Sequence, residues 1–242
     1  MKHPLLRRAL PLVLCAAAIF VAPANSSAAP PRPFPLGGGM GIALLRGVPL
    51  QEASWFHFCT LTAIGHDKAG NLIGITSGHC AYDDQGHQWP GDEVLVQSLV
   101  SAGLAEYVEV VGTVAHISGG NPVVPGPNGV GLDYAVILFD PAKVTAAPTT
   151  ARRITAPPPA GTPLCKEGIS TGRTCGVMTG TIDPYLVHTV SAIRGDSGAP
   201  ILAGDALIGS QWIGFGGTAM TAILADLDQR GGLGAGFQLA TD

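Results

Sequence analysis

A serine between two glycines, in Arg194-Gly195-Asp196-Ser197-Gly198-Ala199-Pro200, combines the parts that a nucleophile mount needs. A hydroxyl is a poor nucleophile near neutral pH, so acyl transfer at Ser197 requires a base to take its proton and donors to hold the oxyanion that follows. Gly195 and Gly198 lack Cβ atoms, which lets a carbonyl approach the backbone and lets the N–H groups of Gly195 and Ser197 point at one oxygen. Upstream, His79 in Thr76-Ser77-Gly78-His79-Cys80 offers an imidazole that titrates near neutrality. Asp133, at the mouth of the apolar run 134–139, offers a carboxylate to hold that ring. Each residue also has a plainer reading: Gly, Asp and Ser are common in tight turns, an Asp at a strand start is usually solvated, and a histidine beside a cysteine is more often structural. The combination carries the signal.

The elements that must position these residues read as short strands. Residues 30–39, rich in Pro and Gly, are expected to be a poorly packed extended lead-in, with structure beginning near Met40. Residues 41–45 and 56–64 read as strands, and the turn at 66–71 leads into a third, 72–76, which ends at His79. Segments 93–98 and 107–117 are further strands. Residues 121–131, with three prolines and three glycines, read as a surface loop that delivers the chain to the buried strand 132–139 and hence to Asp133. Periodicity fails between 141 and 163, where Pro157-Pro158-Pro159 marks a crossover between two halves. Strands follow at 175–182, 186–193 and 206–215. Ala219, Ala222, Ile223 and Leu227 recur at helical spacing before the stop Gly231-Gly232, and 236–239 reads as a last strand.

Composition fits this reading. The 34 Gly and 20 Pro against 12% charged residues, in 242, favour many strands joined by turns, and 46% hydrophobic residues suffice for a sizeable core. A net charge of -4 gives no electrostatic footprint for nucleic acid. Residues 1–29 have the parts of an export signal: Lys2, Arg7 and Arg8, then the apolar stretch 9–22, then small residues for cleavage. That stretch is shorter than the roughly 20 residues a membrane-spanning helix needs. The chain is therefore expected outside the cell or in its envelope, with no membrane span after signal removal. Cys15 leaves with the signal, so Cys59, Cys80, Cys165 and Cys175 remain in an oxidising compartment. Of the three possible pairings, the local one, Cys59–Cys80 and Cys165–Cys175, is favoured because each pair flanks a candidate hairpin. No C-x-x-C spacing supports a zinc site.

The three motifs, in the chain order His, Asp, Ser, resemble those of the chymotrypsin-like serine proteases. The segment from Cys165-Lys166-Glu167-Gly168 to Thr171-Gly172-Arg173-Thr174-Cys175-Gly176 resembles the disulfide hairpin of the secreted bacterial branch that includes streptogrisins and α-lytic protease. The likeness runs from about Phe56 to Gly216. It implies an all-β fold of two packed six-stranded antiparallel barrels, here with a short C-terminal helix. The domain would span 40–242, with a first barrel at about 40–142, a crossover at about 143–162 and a second barrel at about 163–242. It also implies Ser197 as nucleophile, His79 as base and then acid, Asp133 as orienter, and the Gly195 and Ser197 N–H groups as oxyanion hole. No cofactor or metal is required, and the expected partner is a protein or peptide substrate, met by a monomer.

Several features depart from that pattern. Ala199 replaces the usual glycine. No sequence around 37–42 matches the freed N-terminus that secures the Asp before the nucleophile in the animal enzymes. The bacterial branch uses a basic residue of the hairpin instead, so an Asp196–Lys166 pair is expected, looser than with arginine because lysine lacks the two-pronged geometry. No long pro-region separates the signal from the first strand, which implies folding without one. Ser191 is expected at the base of the specificity pocket with Ile213-Gly214 on a wall, suiting a small or apolar side chain; Arg194 sits at the rim. His57, His66, His87, His116 and His188 lack ligand spacing, and Trp55 and Trp89 read as packing residues, whereas the strand of Trp212 should line the cleft. The reading is a secreted serine endopeptidase. Its alternative is a catalytically weak protein of the same fold that acts as an extracellular binding module. An α/β-hydrolase esterase is disfavoured, because there Ser comes first.

Overall fold

Short strands joined by glycine and proline turns dominate the regular structure of the described residues. The structure, a computed structural model, describes residues 32–241 apart from 51, 53–56, 84, 86, 100–104 and 213, and the backbone alone for 97–99 and 105–109. The export segment, Cys15, Trp55, Phe56 and Ile213 lie outside the described residues. The first strands are β1 (Phe34–Leu36), β2 (Gly41–Leu44), β3 (His57–Thr60), β4 (Ala63–His66) and β5 (Leu72–Ser77), followed by a 3-10 turn at Gly78–Ala81. Next come β6 (Glu93–Leu99), β7 (Ala105–Ile117), β8 (Tyr134–Phe139), β9 (Val144–Ala146) and β10 (Arg153–Ile154). The second half holds β11 (Pro163–Gly168), β12 (Gly172–Ile182), β13 (Tyr185–His188), β14 (Pro200–Ala203), β15 (Ala206–Gln211), β16 (Gly216–Ala219), the helix α1 (Met220–Arg230) and β17 (Gln238–Leu239).

The second half closes into a six-stranded barrel in the order β15-β14-β11-β12-β13-β16, with β16 pairing back onto β15 and β10 added in parallel outside β15. The first half is an eight-stranded sheet, β17-β4-β5-β8-β7-β6-β2-β3, which curls without closing. The expected two-barrel, all-β arrangement with a short C-terminal helix is present, its first half a curled half-barrel sheet. The single strand expected at 56–64 bends at Leu61-Thr62, so that β3 pairs with β2 and β4 with β5. At the bend Thr60 N–H bonds Ser197 O at 2.8 Å and Thr62 Oγ1 bonds Gly198 O at 2.6 Å, both across the seam to the second half.

Burial explains the sequence patterns. β5 is buried along its whole length, so it reads as a continuous run without alternation. Ile73 and Ile75 pack in the seam cluster with Tyr134, Leu207 and the helix residues Met220, Ile223 and Leu227, while Leu72 joins Phe139 in the first core. Between them Gly74 has no room for a side chain, since a Cβ there would lie 2.4 Å from the Phe139 ring. α1 ends at Gly231, whose N–H bonds Leu227 O at 3.0 Å with φ +68°. It outruns the expected 227 because Asp228, Gln229 and Arg230 are polar and add nothing to the apolar period.

The lead-in differs from expectation. Phe34–Leu36 forms a parallel ribbon with β9, Phe34 opposite Val144, and Leu36 is fully buried in the first core. A proline costs little at the edge of a two-stranded ribbon, so the Pro-rich composition concealed this strand. The bond Cys59–Cys80 closes a separation of 21 residues and Cys165–Cys175 one of 10, the latter directly opposite each other on β11 and β12. Replacing Cys59 and Cys80 by alanine is expected to lower stability by about 3 kcal/mol, and the shorter bridge slightly less; urea midpoints under non-reducing conditions measure both.

Candidate active site

The carboxylate, the imidazole and the hydroxyl come from three different connections. Asp133 precedes β8 with φ +49°, and its N–H bonds Gly119 O at 2.9 Å. Its fully buried carboxylate accepts the His79 N–H on Oδ1 at 2.8 Å and meets His79 Nδ1 through Oδ2 at 2.8 Å. A carboxylate accepts, so Nδ1 carries the proton and Nε2 presents its lone pair. Nε2 stands 2.7 Å from Ser197 Oγ. The structure thus brings together the three residues singled out from the sequence.

His79 lies in the 3-10 turn after β5, where the Cys59–Cys80 bridge holds the next residue. Arg46, itself at φ +51°, braces the turn from behind: Nε donates to Cys80 O at 3.2 Å and Nη2 to His79 O at 3.1 Å, with the guanidinium 5.9 Å from the Trp89 ring centre. Burial, then the charges of Arg46, His79 and Arg194, push the neighbouring His57 down to about 3, which leaves it neutral near pH 7.

Ser197 follows a tight turn in which Asp196 N–H bonds Ile193 O at 3.0 Å and Gly195 takes φ +94°, the pattern of a type II turn. Two hydroxyls orient it. Ser170 Oγ donates to Arg194 O at 2.7 Å, and Thr60 Oγ1 donates to Gly195 O at 2.8 Å. In a trans peptide C=O and N–H point opposite ways, so the Ser170 bond turns the Gly195 N–H away from the hairpin. Among the described residues neither that N–H nor the Ser197 N–H is given to another protein acceptor. Gly198, at φ +84°, is required by the seam: a Cβ would lie 2.2 Å from Thr60 O.

The fully buried Asp196 secures the turn. Its Oδ1 accepts the N–H groups of Ser170 at 3.0 Å and Thr171 at 3.1 Å, and its Oδ2 accepts Thr171 Oγ1 at 2.7 Å and Ile193 N–H at 3.1 Å. Lys166, also fully buried, stands 3.3 Å from Oδ2 and donates to Thr171 Oγ1 and Gly172 O. A loose hold is therefore not what the geometry gives, because four neutral donors supplement the lysine. Burial raises the pKa of Asp196, but the Thr171 hydroxyl, the Ile193 and Thr171 N–H groups and the Lys166 charge outweigh it and leave the carboxyl below its usual value.

Of the residues expected around a specificity pocket, Ser191 is exposed, and its carbonyl accepts Thr174 Oγ1 at 2.9 Å. Gly214 N–H bonds Ala192 O at 3.2 Å, which ties the expected wall to the residue after the expected base. The Gln211 amide fills the hairpin, with Nε2 bonded to Trp212 O at 2.9 Å and Gly216 O at 3.0 Å. Trp212 is buried and does not face a cleft: its Nε1 donates to Thr218 Oγ1 at 3.0 Å, and that hydroxyl donates to Leu132 O at 2.7 Å, next to Asp133. The sequence reading missed Thr60, Ser170, Thr171 and Asn121, whose Nδ2 donates to Asp133 Oδ2 at 2.7 Å. Ser170-Thr171, at the tip of a hairpin before Gly172, was the one local hint.

No protein-family model and no curated protein matches the chain. Solved structures do. Thermobifida fusca protease A aligns with a TM-score of 0.54 at 19% identity, over 85% of this chain and 98% of its own. Nocardiopsis protease gives 0.52 at 17%, over 80% and 96%, and a glutamic acid specific serine protease described as using a histidine triad in substrate binding gives 0.51 at 19%, over 78% and 96%. The fold is that of the bacterial chymotrypsin-like serine proteases.

Two outcomes test the turn. Ser170→Ala is expected to slow reaction of Ser197 with a fluorophosphonate by roughly tenfold or more, because the Gly195 N–H loses its orientation; Ser170→Thr should keep the wild-type rate. Asp196 is ionised more readily folded than unfolded, so its contribution to stability is complete above the unfolded value near 4 and lost as pH falls through the lowered folded value. Urea unfolding between about pH 5 and 2.5 should show this loss, and Asp196→Asn should remove that part of the slope.

Proposed function

We propose that the chain is an exported serine endopeptidase that cleaves peptide bonds through an acyl-enzyme. The observation that carries the reading is the line Asp133 Oδ2, His79 Nδ1 and Nε2, Ser197 Oγ, with spacings of 2.8 and 2.7 Å, beside the Gly195 and Ser197 N–H groups, which have no protein acceptor among the described residues. His79 Nε2 takes the Ser197 proton as Oγ bonds to the substrate carbonyl carbon. The Gly195 and Ser197 N–H groups hold the oxyanion, and Asp133 stabilises the imidazolium through Nδ1–H. Collapse of this intermediate breaks the C–N bond as the imidazolium protonates the leaving amine. Water, deprotonated by His79, then attacks the acyl carbon, and Ser197 leaves with its proton restored.

The fold shared with serine proteases and the two disulfides support a protease working in an oxidising compartment. Residues 1–29 serve as the export signal, and the catalytic domain spans 40–242 with the β1 segment packed onto it. No helix among the described residues is long and apolar enough to cross a membrane. The tie between Gly214 and Ala192 favours a substrate whose side chain before the scissile bond is small, such as Gly or Ala, over one that needs a deep pocket.

A fluorophosphonate probe on the secreted protein is expected to label the wild type and neither Ser197→Ala nor His79→Ala. Casein and a peptide library should be cut by the wild type alone. Labelling without cleavage would point to the binding-module alternative, and no labelling of the wild type would sink the enzyme reading.

A further inference from the structure

The Asp133 carboxylate has a third donor, from a loop whose composition reads as a plain surface connection. Asn121 opens the segment 121–131 and is 1% exposed. Its Oδ1 accepts the N–H groups of Val123 at 2.9 Å and Val124 at 2.8 Å, and its own N–H bonds Val124 O at 3.1 Å. Those two backbone donors decide the amide's orientation, because the opposite flip would set N–H against N–H. Nδ2 therefore faces Asp133 Oδ2 at 2.7 Å. The loop cannot easily carry the amide away, since Gly131 N–H returns to Gly120 O at 2.5 Å, and Tyr82 Oη–H donates to Val124 O at 3.4 Å.

We infer that Asn121 is a positioning residue for the catalytic line, a fourth link in the order Asn121, Asp133, His79, Ser197; this rests on the protease reading above. A carboxylate held by a single hydrogen bond can still rock about its last torsion. Here the His79 N–H fixes Oδ1 and Asn121 fixes Oδ2, so the lone pair that meets His79 Nδ1 is held in one direction. The same bond supplies a donor to a charge that is fully out of water, where an unmade hydrogen bond is costly. Asn121 touches neither the nucleophile nor the site of the reacting carbonyl; it acts through Asp133. The turn at 121–124 and the pairing of Gly120 with Gly131 exist to present one N–H.

Aspartate in place of Asn121 separates this role from a merely structural one. Asn121→Asp keeps an oxygen for the Val123 and Val124 N–H groups, and Asp suits such a turn as well as Asn does. It exchanges the donor for a second carboxylate oxygen against Oδ2, however, and two carboxylates at that distance share one proton. The expected result is a folded protein, by near-UV circular dichroism, with kcat on a peptide ester reduced on the order of 10- to 100-fold at pH 8 and KM little changed. The deficit relative to wild type should shrink as pH falls and the pair takes up its proton. A structural role alone would leave Asn121→Asp with the wild-type kcat and pH profile, and that result would overturn the inference. Asn121→Ser provides a second reading if the Asp variant fails to fold: its hydroxyl can still accept in the turn but falls short of Asp133, so kcat should drop by a similar factor at all pH values, and an unchanged kcat would count against the proposal. Loss of labelling in the wild type itself would fault the protease reading instead, and the two failures are thereby told apart.

Discussion

The grip of Thr60 to Thr62 on the turn that carries Ser197 is the interaction on which the cleft depends. His79 and Asp133 ride on the first sheet and Ser197 on the second, so a displacement of one sheet past the other by a fraction of an ångström would part Nε2 from Oγ. Bonds across the seam oppose it, among them Thr60 N–H to Ser197 O, Thr60 Oγ1 to Gly195 O, Thr62 Oγ1 to Gly198 O and Ser77 Oγ to Gln211 O. The strand bends at Leu61-Thr62 to make this contact, while Leu61 N–H still bonds Met40 O and Thr62 N–H still bonds Ile75 O within the first sheet. Gly198 belongs to the same bargain, since only a residue without a Cβ lets Thr60 O come so near.

Two buried carboxylates, Asp133 and Asp196, are solvated by the protein in different ways. Asp133 receives two N–H groups from His79 and one from Asn121. Asp196 is surrounded by hydroxyl and N–H donors from 170, 171 and 193 and also pairs with Lys166. The first carboxylate is thus held against an imidazole by neutral donors, while the second has a buried ammonium besides. In both cases most of the donors come from residues remote in sequence, so the charge can be buried only once those segments have come together.

How much of this was legible follows from where the information sits. His79, Asp133 and Ser197 each announce themselves through a short motif at a strand end, because the strand must stop and turn there. Short strands joined by turns followed from glycine, proline and the short apolar runs, and the two-barrel fold class from the resemblance that the three motifs carry. What stayed hidden was of two kinds. β1 was masked by its own composition, since Pro35 in an edge ribbon looks like a linker. Asn121 and Thr60 were hidden because polar residues at a loop or strand end carry no periodic signal, and their partners lie 12 and 135 positions away in the chain. The surroundings of the expected pocket were hidden too: the Gly214 N–H bond to Ala192 O and the Gln211 side chain that bonds Gly216 O join segments about twenty residues apart or within a turn, which no motif encodes.

The saturation of Asp196 also bears on how the site comes to be assembled. An Asp in this place that had an unmet lone pair could wait for an ammonium freed by cleavage elsewhere, and its turn would stay unformed until that charge arrived. Here both oxygens are engaged by groups between 166 and 193, all of them present once β11, β12 and the turn before Ser197 have folded. Lys166 has no exposed surface, and its remaining bonds go to Thr171 and Gly172 in the same hairpin, so the cation is held by the element it braces. A lysine serves as well as a forked guanidinium in such a setting, because geometry is set by the four neutral donors and only charge is asked of the ammonium. The hairpin closed by Cys165–Cys175 and the turn at 193–197 therefore fold as one unit, and the Gly195 N–H takes its direction from that unit without an outside trigger.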